Sequence, residues 1–194
     1  MLQDLRLDTA PAELAVSLEE AKAHLRVLNN SQDGPIGDAL AAAIGLLDGY
    51  SGILGRCLVE QSWLLSFECW PGRTIKLPLP PLISVEEIAY VDQADADQVV
   101  SPALYHVLEG PLATIRLKPT AVWPTLGRNP RAVTISFTAG YGAAADVPGA
   151  LKAAIKLILG ELFENREAEI LTVAAFQKNP AVQRLLRPFT IPRV

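Results

Sequence analysis

The spacing of the hydrophobic residues changes twice along this chain of 194 residues. Near both ends they recur every three or four positions, which is the spacing of amphipathic helices. In the middle of the chain they recur at every second position, which is the spacing of strands with one buried face. The sequence therefore predicts a helical body formed by residues 1–60 and 139–194, with a β-rich insertion at residues 61–138.

Capping signals set the bounds of the predicted helices. Ser17-Leu-Glu-Glu20 is a capping box, in which the hydroxyl and the carboxylate accept hydrogen bonds from backbone N–H groups of the first turn. Asn179-Pro180 caps the last helix, with proline at a position that needs no donor. The expected helices are Ser17 to about Leu28, Pro35 to about Gly55, a long helix opened by Asp146-Val-Pro148, and Ala181 to Leu186.

Short alternating runs predict the strands of the insertion. The cleanest run ends at Thr138, where valine, isoleucine and phenylalanine alternate with threonine and serine. The expected strands are Trp63 to Phe67, Thr74 to Leu77, Ser84 to Asp92, Tyr105 to Leu108, Thr114 to Leu117 and Val133 to Thr138. The predicted fold class is therefore α+β, a helical body that carries a small antiparallel β-sandwich.

The charge and the distribution of apolar residues exclude two function classes. The formal net charge is −4, whereas binders of nucleic acids or membrane surfaces are usually basic. No stretch reaches the roughly 18 apolar residues that a membrane span needs, and residues 1–10 have no apolar core of a signal peptide. We therefore expect synthesis in the cytosol and no membrane partner.

The residue types that perform catalysis or bind metals are poorly placed for such chemistry. His24 and His106 are the only histidines, and neither has a nearby Ser, Cys or Asp in an arrangement that would orient a nucleophile and a base. Glu161, Glu164 and Glu167 lie three residues apart on one side of a helix. This spacing could ligate a hard cation, but it is more typical of a solvated helix surface. We expect no enzyme activity, no cofactor and no metal.

Aromatic residues of the insertion leave a second interpretation open. Trp63, Trp70 and Trp123 flank turns, where aromatic rings often cap the core of a small sheet. If the aromatic cluster around Trp70 and Trp123 is exposed, it would instead suit a small β-rich module that binds carbohydrate or protein. Gly140-Tyr-Gly142 lacks the residues of a phosphate-binding loop, so we expect a turn in which glycine takes a positive φ.

Several segments, taken together in their order and spacing, resemble the head-tail connector, or adaptor, proteins of long-tailed phages, prophages and gene transfer agents. The resemblance extends over nearly the whole chain. The matching segments are SLEEAKAHLRV at 17–27, Gly55-Arg56 with Trp63 shortly after, IKLPLPPLISVEEIAYVD at 75–92, VTISFTAGYG at 133–142, VPGALKAAIKLILGELFENRE at 147–167 and PAVQRLLRPF at 180–189.

This resemblance implies a structural subunit that joins a DNA-filled head to a tail. The subunit would form a ring of about twelve copies under the portal protein. Head-to-tail contacts between copies can close into such a ring. A head-closure (stopper) or tail protein would lie beneath the ring, and DNA would pass through the lumen without sequence-specific binding. The protein would be in the host cytoplasm during assembly and then at the head-tail interface of the particle.

The resemblance also implies two sets of contact residues. The long helix is expected to serve the core and the packing of the ring through Leu151, Ile155, Ile158, Leu162 and Arg166. The C-terminal segment is expected to dock on the portal, although a frayed chain end is the alternative for it. The docking set is Arg184, Leu185, Leu186, Arg187, Phe189, Ile191 and Arg193.

Overall fold

The computed structural model describes residues 3–164 and 179–191, and in these residues the chain is α+β with four α-helices and two antiparallel sheets. The chain divides into two compact units. Unit 1 comprises Met1–Ala12 and Glu60–Gly140, and unit 2 comprises Glu13–Val59 and Tyr141–Val194. Within the described residues, all strands lie in unit 1 and all α-helices lie in unit 2.

Unit 1 contains a five-stranded sheet in the order β1-β2-β8-β4-β5 and a three-stranded sheet in the order β3-β7-β6. Every neighbouring pair in both sheets is antiparallel. The strands are β1 Gln3–Thr9, β2 Gln61–Phe67, β3 Thr74–Lys76, β4 Leu82–Val91, β5 Asp97–Val99, β6 Tyr105–Leu108, β7 Thr114–Leu117 and β8 Val133–Ala139.

The larger sheet has one apolar face and one hydroxyl-rich face. Ile135 of β8 lies opposite Leu65 of β2 on one side and Ile88 of β4 on the other, and all three are buried. On the other face, Ser62 shares a hydrogen bond of 3.1 Å with Thr138. This separation follows from the two-residue period that the sequence shows.

Unit 2 contains the helices α1 Leu18–Leu25, α2 Asp33–Gly45, α3 Gly149–Glu164 and α4 Pro180–Leu186. The predicted capping box is present, since the Glu20 N–H donates to the Ser17 hydroxyl and the Ser17 N–H donates to the Glu20 carboxylate. One hydrophobic cluster joins all four helices. Its members include Ala21 of α1, Leu40 of α2, Ile155 of α3 and Val182 of α4.

Two helices end earlier than predicted. The first ends at Leu25 because Arg26 adopts the left-handed conformation, with φ 58°, and caps the helix. The second ends at Gly45, not near Gly55. Residues 46–55 form turns that still bury Leu47 and Leu54, so the apolar spacing continues although the helix has ended.

Two strands were missed by the sequence prediction. Residues 1–12 were assigned to the helical body, whereas β1 pairs with β2 along the edge of the larger sheet. The strand β5 has only three residues, all exposed, so it lacks the buried alternation on which strand prediction depends.

Candidate partner interface

The C-terminal residues that were predicted to dock on a partner have a regular conformation. The side chain of Asn179 accepts a hydrogen bond of 3.0 Å from the Ala181 N–H and so caps α4, as predicted. A 3₁₀ turn, Arg187–Phe189, follows directly, and the Thr190 N–H then donates to the Leu186 carbonyl at 3.1 Å. Residues 179–191 are therefore ordered by local hydrogen bonds.

This segment has an inner and an outer side. Leu186 is only 6% exposed and lies with Val182 in the core of unit 2, one helical turn apart. Leu186 is therefore a core residue of unit 2, and its side chain offers little surface for the predicted docking. Arg184 and Arg187 are exposed, while Leu185, Phe189 and Ile191 are half-buried; Arg193 lies outside the described residues.

One arginine that the docking set did not include holds the end of this segment. The Arg56 Nε donates to the main-chain carbonyl of Phe189 at 2.7 Å, and its terminal nitrogen donates to the Tyr141 hydroxyl at 2.6 Å. The guanidinium carbon lies 5.8 Å from the centroid of each aromatic ring, within cation–π range. We call Arg56, Tyr141 and Phe189 the Arg56 clamp.

Hydrogen bonds of the surrounding loop fix the position of Arg56. The Gly49 N–H donates to the Arg56 carbonyl at 2.8 Å, and the Leu58 N–H donates to the Asp48 carboxylate at 2.7 Å. The Leu58 carbonyl in turn accepts from the Tyr141 N–H at 3.0 Å. Two members of the Arg56 clamp are therefore held by one hydrogen-bonded loop, residues 48–58.

The glycines around Tyr141 have the conformation that the sequence predicted. Gly140 has φ 136° and Gly142 has φ 106°, values that residues with a Cβ rarely adopt. This turn follows the end of β8, and Tyr141 within it accepts the hydrogen bond from Arg56.

The long helix α3 places its apolar stripe inside unit 2. Leu151 and Ile155 are 0% exposed and Ile158 is 1% exposed, so these side chains form core and present no surface to another molecule. Leu162 is half-buried, and Arg166 lies outside the described residues. Any contact made by this part of the helix therefore has to use other residues.

A charged pair lies on the half-exposed side of α3. The Lys156 ammonium is 3.6 Å from the Glu20 carboxylate, which also accepts the Ser17 N–H of the capping box. That backbone hydrogen bond, with smaller contributions from Lys156 and Lys152, holds the pKa of Glu20 below its ordinary value. The carboxylate therefore stays ionised to a lower pH than that of an ordinary glutamate.

Unit 1 has an aromatic cluster where the alternative binding module would need one. The indoles of Trp70 and Trp123 are stacked at 4.4 Å, and each ring also lies near a tyrosine, Tyr90 and Tyr105 respectively. The Trp70 N–H donates to the Pro124 carbonyl and the Trp123 N–H donates to the Gly72 carbonyl, both at 2.8 Å. The polar atoms of both rings are therefore used within the unit.

Among the described residues, the side chains considered for catalysis or metal binding are not gathered into a site. His24 and His106 are exposed on α1 and β6. Glu161 accepts a hydrogen bond from the Asn179 amide, Glu164 is the exposed last residue of α3, and Glu167 lies outside the described residues. Among residues 3–164 and 179–191, no group of three His, Cys, Asp or Glu residues could hold a metal ion.

No helix in the described part of the chain combines the length and the apolar character that crossing a bilayer requires.

Solved structures share this fold over nearly the whole chain. A chain in the neck of an empty gene transfer agent (GTA) particle, computed with C6 symmetry, matches with a TM-score of 0.80 and 24% identity, over 98% of this chain and 97% of that chain. A chain in the virion of a native GTA particle matches with a TM-score of 0.79 and 23% identity, over 98% and 96%.

A third match comes from the neck of a native GTA particle computed with C12 symmetry. It has a TM-score of 0.73 and 23% identity, and it covers 98% of this chain and 97% of that chain. No family model and no curated protein matches the sequence. The resemblance that the sequence suggested is thus confirmed at the level of the fold, which is that of chains in gene transfer agent particles.

Proposed function

We propose that this protein is a non-enzymatic head-tail connector subunit that forms a ring under the portal and joins head to tail in a phage-like particle. The observation that supports this most is the fold match over 98% of the chain to necks computed with C6 and C12 symmetry. A symmetric neck needs a subunit with two complementary surfaces that close into a ring. About twelve copies would suit a C12 neck.

Portal docking belongs to the outer side of the C-terminal segment. Arg184 and Arg187 are exposed and can form hydrogen bonds with carboxylates of a partner, and Leu185, Phe189 and Ile191 offer half-buried apolar surface next to them. Arg193 lies two residues after Ile191 in the sequence. Leu186 contributes by holding α4 on the core.

Ring packing requires a revised role for α3. Its buried stripe, Leu151, Ile155 and Ile158, stabilises the subunit, whereas Leu162 and Arg166 remain candidates for contact with the neighbouring copy. The next neck or tail protein would bind another face of the ring, and the DNA path would pass through the lumen. The subunit would be made in the host cytoplasm and end in the particle.

The two sheets of unit 1 are proposed to pack face to face as a small β-sandwich. The larger sheet has a buried row, Leu65, Ile135 and Ile88. The smaller sheet has the buried pair Ile75 and Ile115, which lie opposite each other on β3 and β7. Two sheets that each bury one face in a unit of this size can do so against each other.

Electron microscopy of the purified protein, with and without portal rings of the same particle, tests the connector function. We expect rings with the protein bound beneath the portal. A protein that stays monomeric at high concentration and does not bind portal rings would contradict the proposal. A chain lacking residues 189–194 should still fold but should fail to join heads to tails.

A further inference from the structure

Arg56 connects three stretches of chain that are distant in sequence. Its neighbours Leu54 and Gly55 precede it in the loop 48–58, Tyr141 follows β8, and Phe189 lies beyond α4. Next to the contacts of the guanidinium, the Ile191 N–H donates to the Leu54 carbonyl at 3.2 Å. The same loop therefore binds the main chain at residue 189 and again at residue 191.

Both of these tethers act on the backbone. The Arg56 Nε binds the carbonyl of Phe189 and the Leu54 carbonyl binds the amide of Ile191, so they fix the path of the chain. The Phe189 ring adds a cation–π contact with the same guanidinium. The clamp and the Leu54 carbonyl thus hold the main chain at Phe189 and at Ile191.

The chemistry of the clamp requires arginine. A guanidinium is planar, presents its N–H donors as a fork and can lie over aromatic rings, so one side chain can satisfy a carbonyl, a hydroxyl and two rings. A lysine ammonium is a point charge without the Nε donor. Replacing Arg56 by lysine keeps the charge and removes this geometry.

We propose that Arg56 is a positioning residue for docking, which presents the C-terminal segment to the portal in one orientation. This inference rests on the proposed function. A segment held in its bound direction loses less conformational freedom on binding, so its affinity is higher than that of a loose segment. Arg56 acts through Phe189 and Ile191 and does not itself need to contact the portal.

The test compares Arg56→Lys with Arg116→Lys, an exposed arginine on β7 outside the clamp and the docking set. Hydrogen exchange is measured at the amides of Thr190 and Ile191, and affinity is measured for purified portal rings. In Arg56→Lys we expect exchange at Ile191 to be at least about tenfold faster, unchanged exchange in α3, and affinity about tenfold weaker. Arg116→Lys should change neither quantity.

A truncation separates this inference from the proposed function. In protein lacking residues 189–194, Arg56→Lys should have little further effect on affinity, because both residues held by the tethers, Phe189 and Ile191, are already absent. If full-length Arg56→Lys binds portal rings as tightly as wild type while the truncation binds weakly, the positioning role is wrong and docking stands. If wild type does not bind portal rings at all, the proposed function is wrong.

Tyr141→Phe keeps the ring and removes the hydroxyl that accepts the hydrogen bond from Arg56. It provides a milder variant in case Arg56→Lys fails to fold. We expect exchange at Ile191 to be about threefold faster and a similar loss of affinity. Unchanged exchange at Ile191 in Tyr141→Phe, together with unchanged affinity, would overturn the positioning role.

Discussion

The helices α3 and α4 both include residues that were predicted to contact partners, but they differ in what they expose. The apolar stripe of α3 is buried inside unit 2, whereas α4 buries Val182 and Leu186 and exposes Arg184 on its other side. An apolar stripe on a helix therefore identifies the side that packs into the core of the subunit. Residues available to a partner have to be sought on the remaining surface.

The largest effect on stability is expected for Ile155→Ala in α3. Because Ile155 is completely buried, we expect a loss of about 2–5 kcal/mol in the free energy of unfolding, measured by urea denaturation. Leu185→Ala, on the half-buried side of α4, should cost only about 1 kcal/mol. Equal losses in the two variants would show that the contrast between the helices is wrong.

Asn179 links the two helices and allows a finer test. Asn179→Ala removes the cap of α4 and the hydrogen bond to Glu161, so we expect a loss of about 1 kcal/mol in thermal or urea unfolding. Asn179→Asp keeps a good cap but places a carboxylate beside Glu161. Stability restored fully by aspartate would show that only the cap matters.

The exposed arginines should affect binding and not folding. For the double variant Arg184→Ala and Arg187→Ala we expect a change of less than about 0.5 kcal/mol in unfolding free energy, because neither side chain is buried. Affinity for portal rings should fall about tenfold or more and depend on salt. Unchanged affinity at low salt would remove these arginines from the docking surface.

The smallest expected effect concerns Glu20 of α1, which pairs with Lys156 of α3. The folded state lowers the pKa of Glu20 below its ordinary value of 4.5, so its contribution is present above that value and is lost as the pH falls through the folded pKa. Its side chain is 41% exposed, so the contribution should be only a few tenths of a kcal/mol.

Urea unfolding between about pH 6 and pH 3 measures this contribution. Compared with wild type, Glu20→Gln should lose slightly less stability over that range. Identical pH dependence in the two proteins would show that the carboxylate contributes nothing.

Much of the fold could be predicted because local signals agreed with the final packing. The alternation in β8 and the caps at Ser17 and Asn179 were all confirmed. The second helix was predicted too long because Leu47 and Leu54 continue its apolar spacing. Both side chains are buried, but they lie in turns and not in a helix. A glycine at position 52 permits such a turn, since a Cβ there would lie 2.3 Å from the Leu47 carbonyl.

The edge strand β1 shows what a single sequence leaves open. Leu5 and Leu7 alternate with Asp4 and Arg6, so the period of a strand is present. The pairing partner β2 lies more than fifty residues further along the chain, and nothing local specifies that pairing. Strand formation there depends on the tertiary fold.

The Arg56 clamp could not be predicted from the sequence for a similar reason. Gly55-Arg56 and Gly140-Tyr-Gly142 are both recognisable as motifs in the sequence, and the segment PAVQRLLRPF ends on Phe189. Each motif alone suggested a turn or a surface segment. Only the fold brings the three together, over 85 residues between Arg56 and Tyr141 and 133 between Arg56 and Phe189.

The stacked indoles of unit 1 also provide an optical probe. All three tryptophans of the chain, Trp63, Trp70 and Trp123, belong to unit 1, while every α-helix of the described residues belongs to unit 2. Indole fluorescence therefore reports the melting of the strands, and circular dichroism at helical wavelengths reports the melting of the helices. Coincident transitions from the two signals would mean that the two units unfold cooperatively.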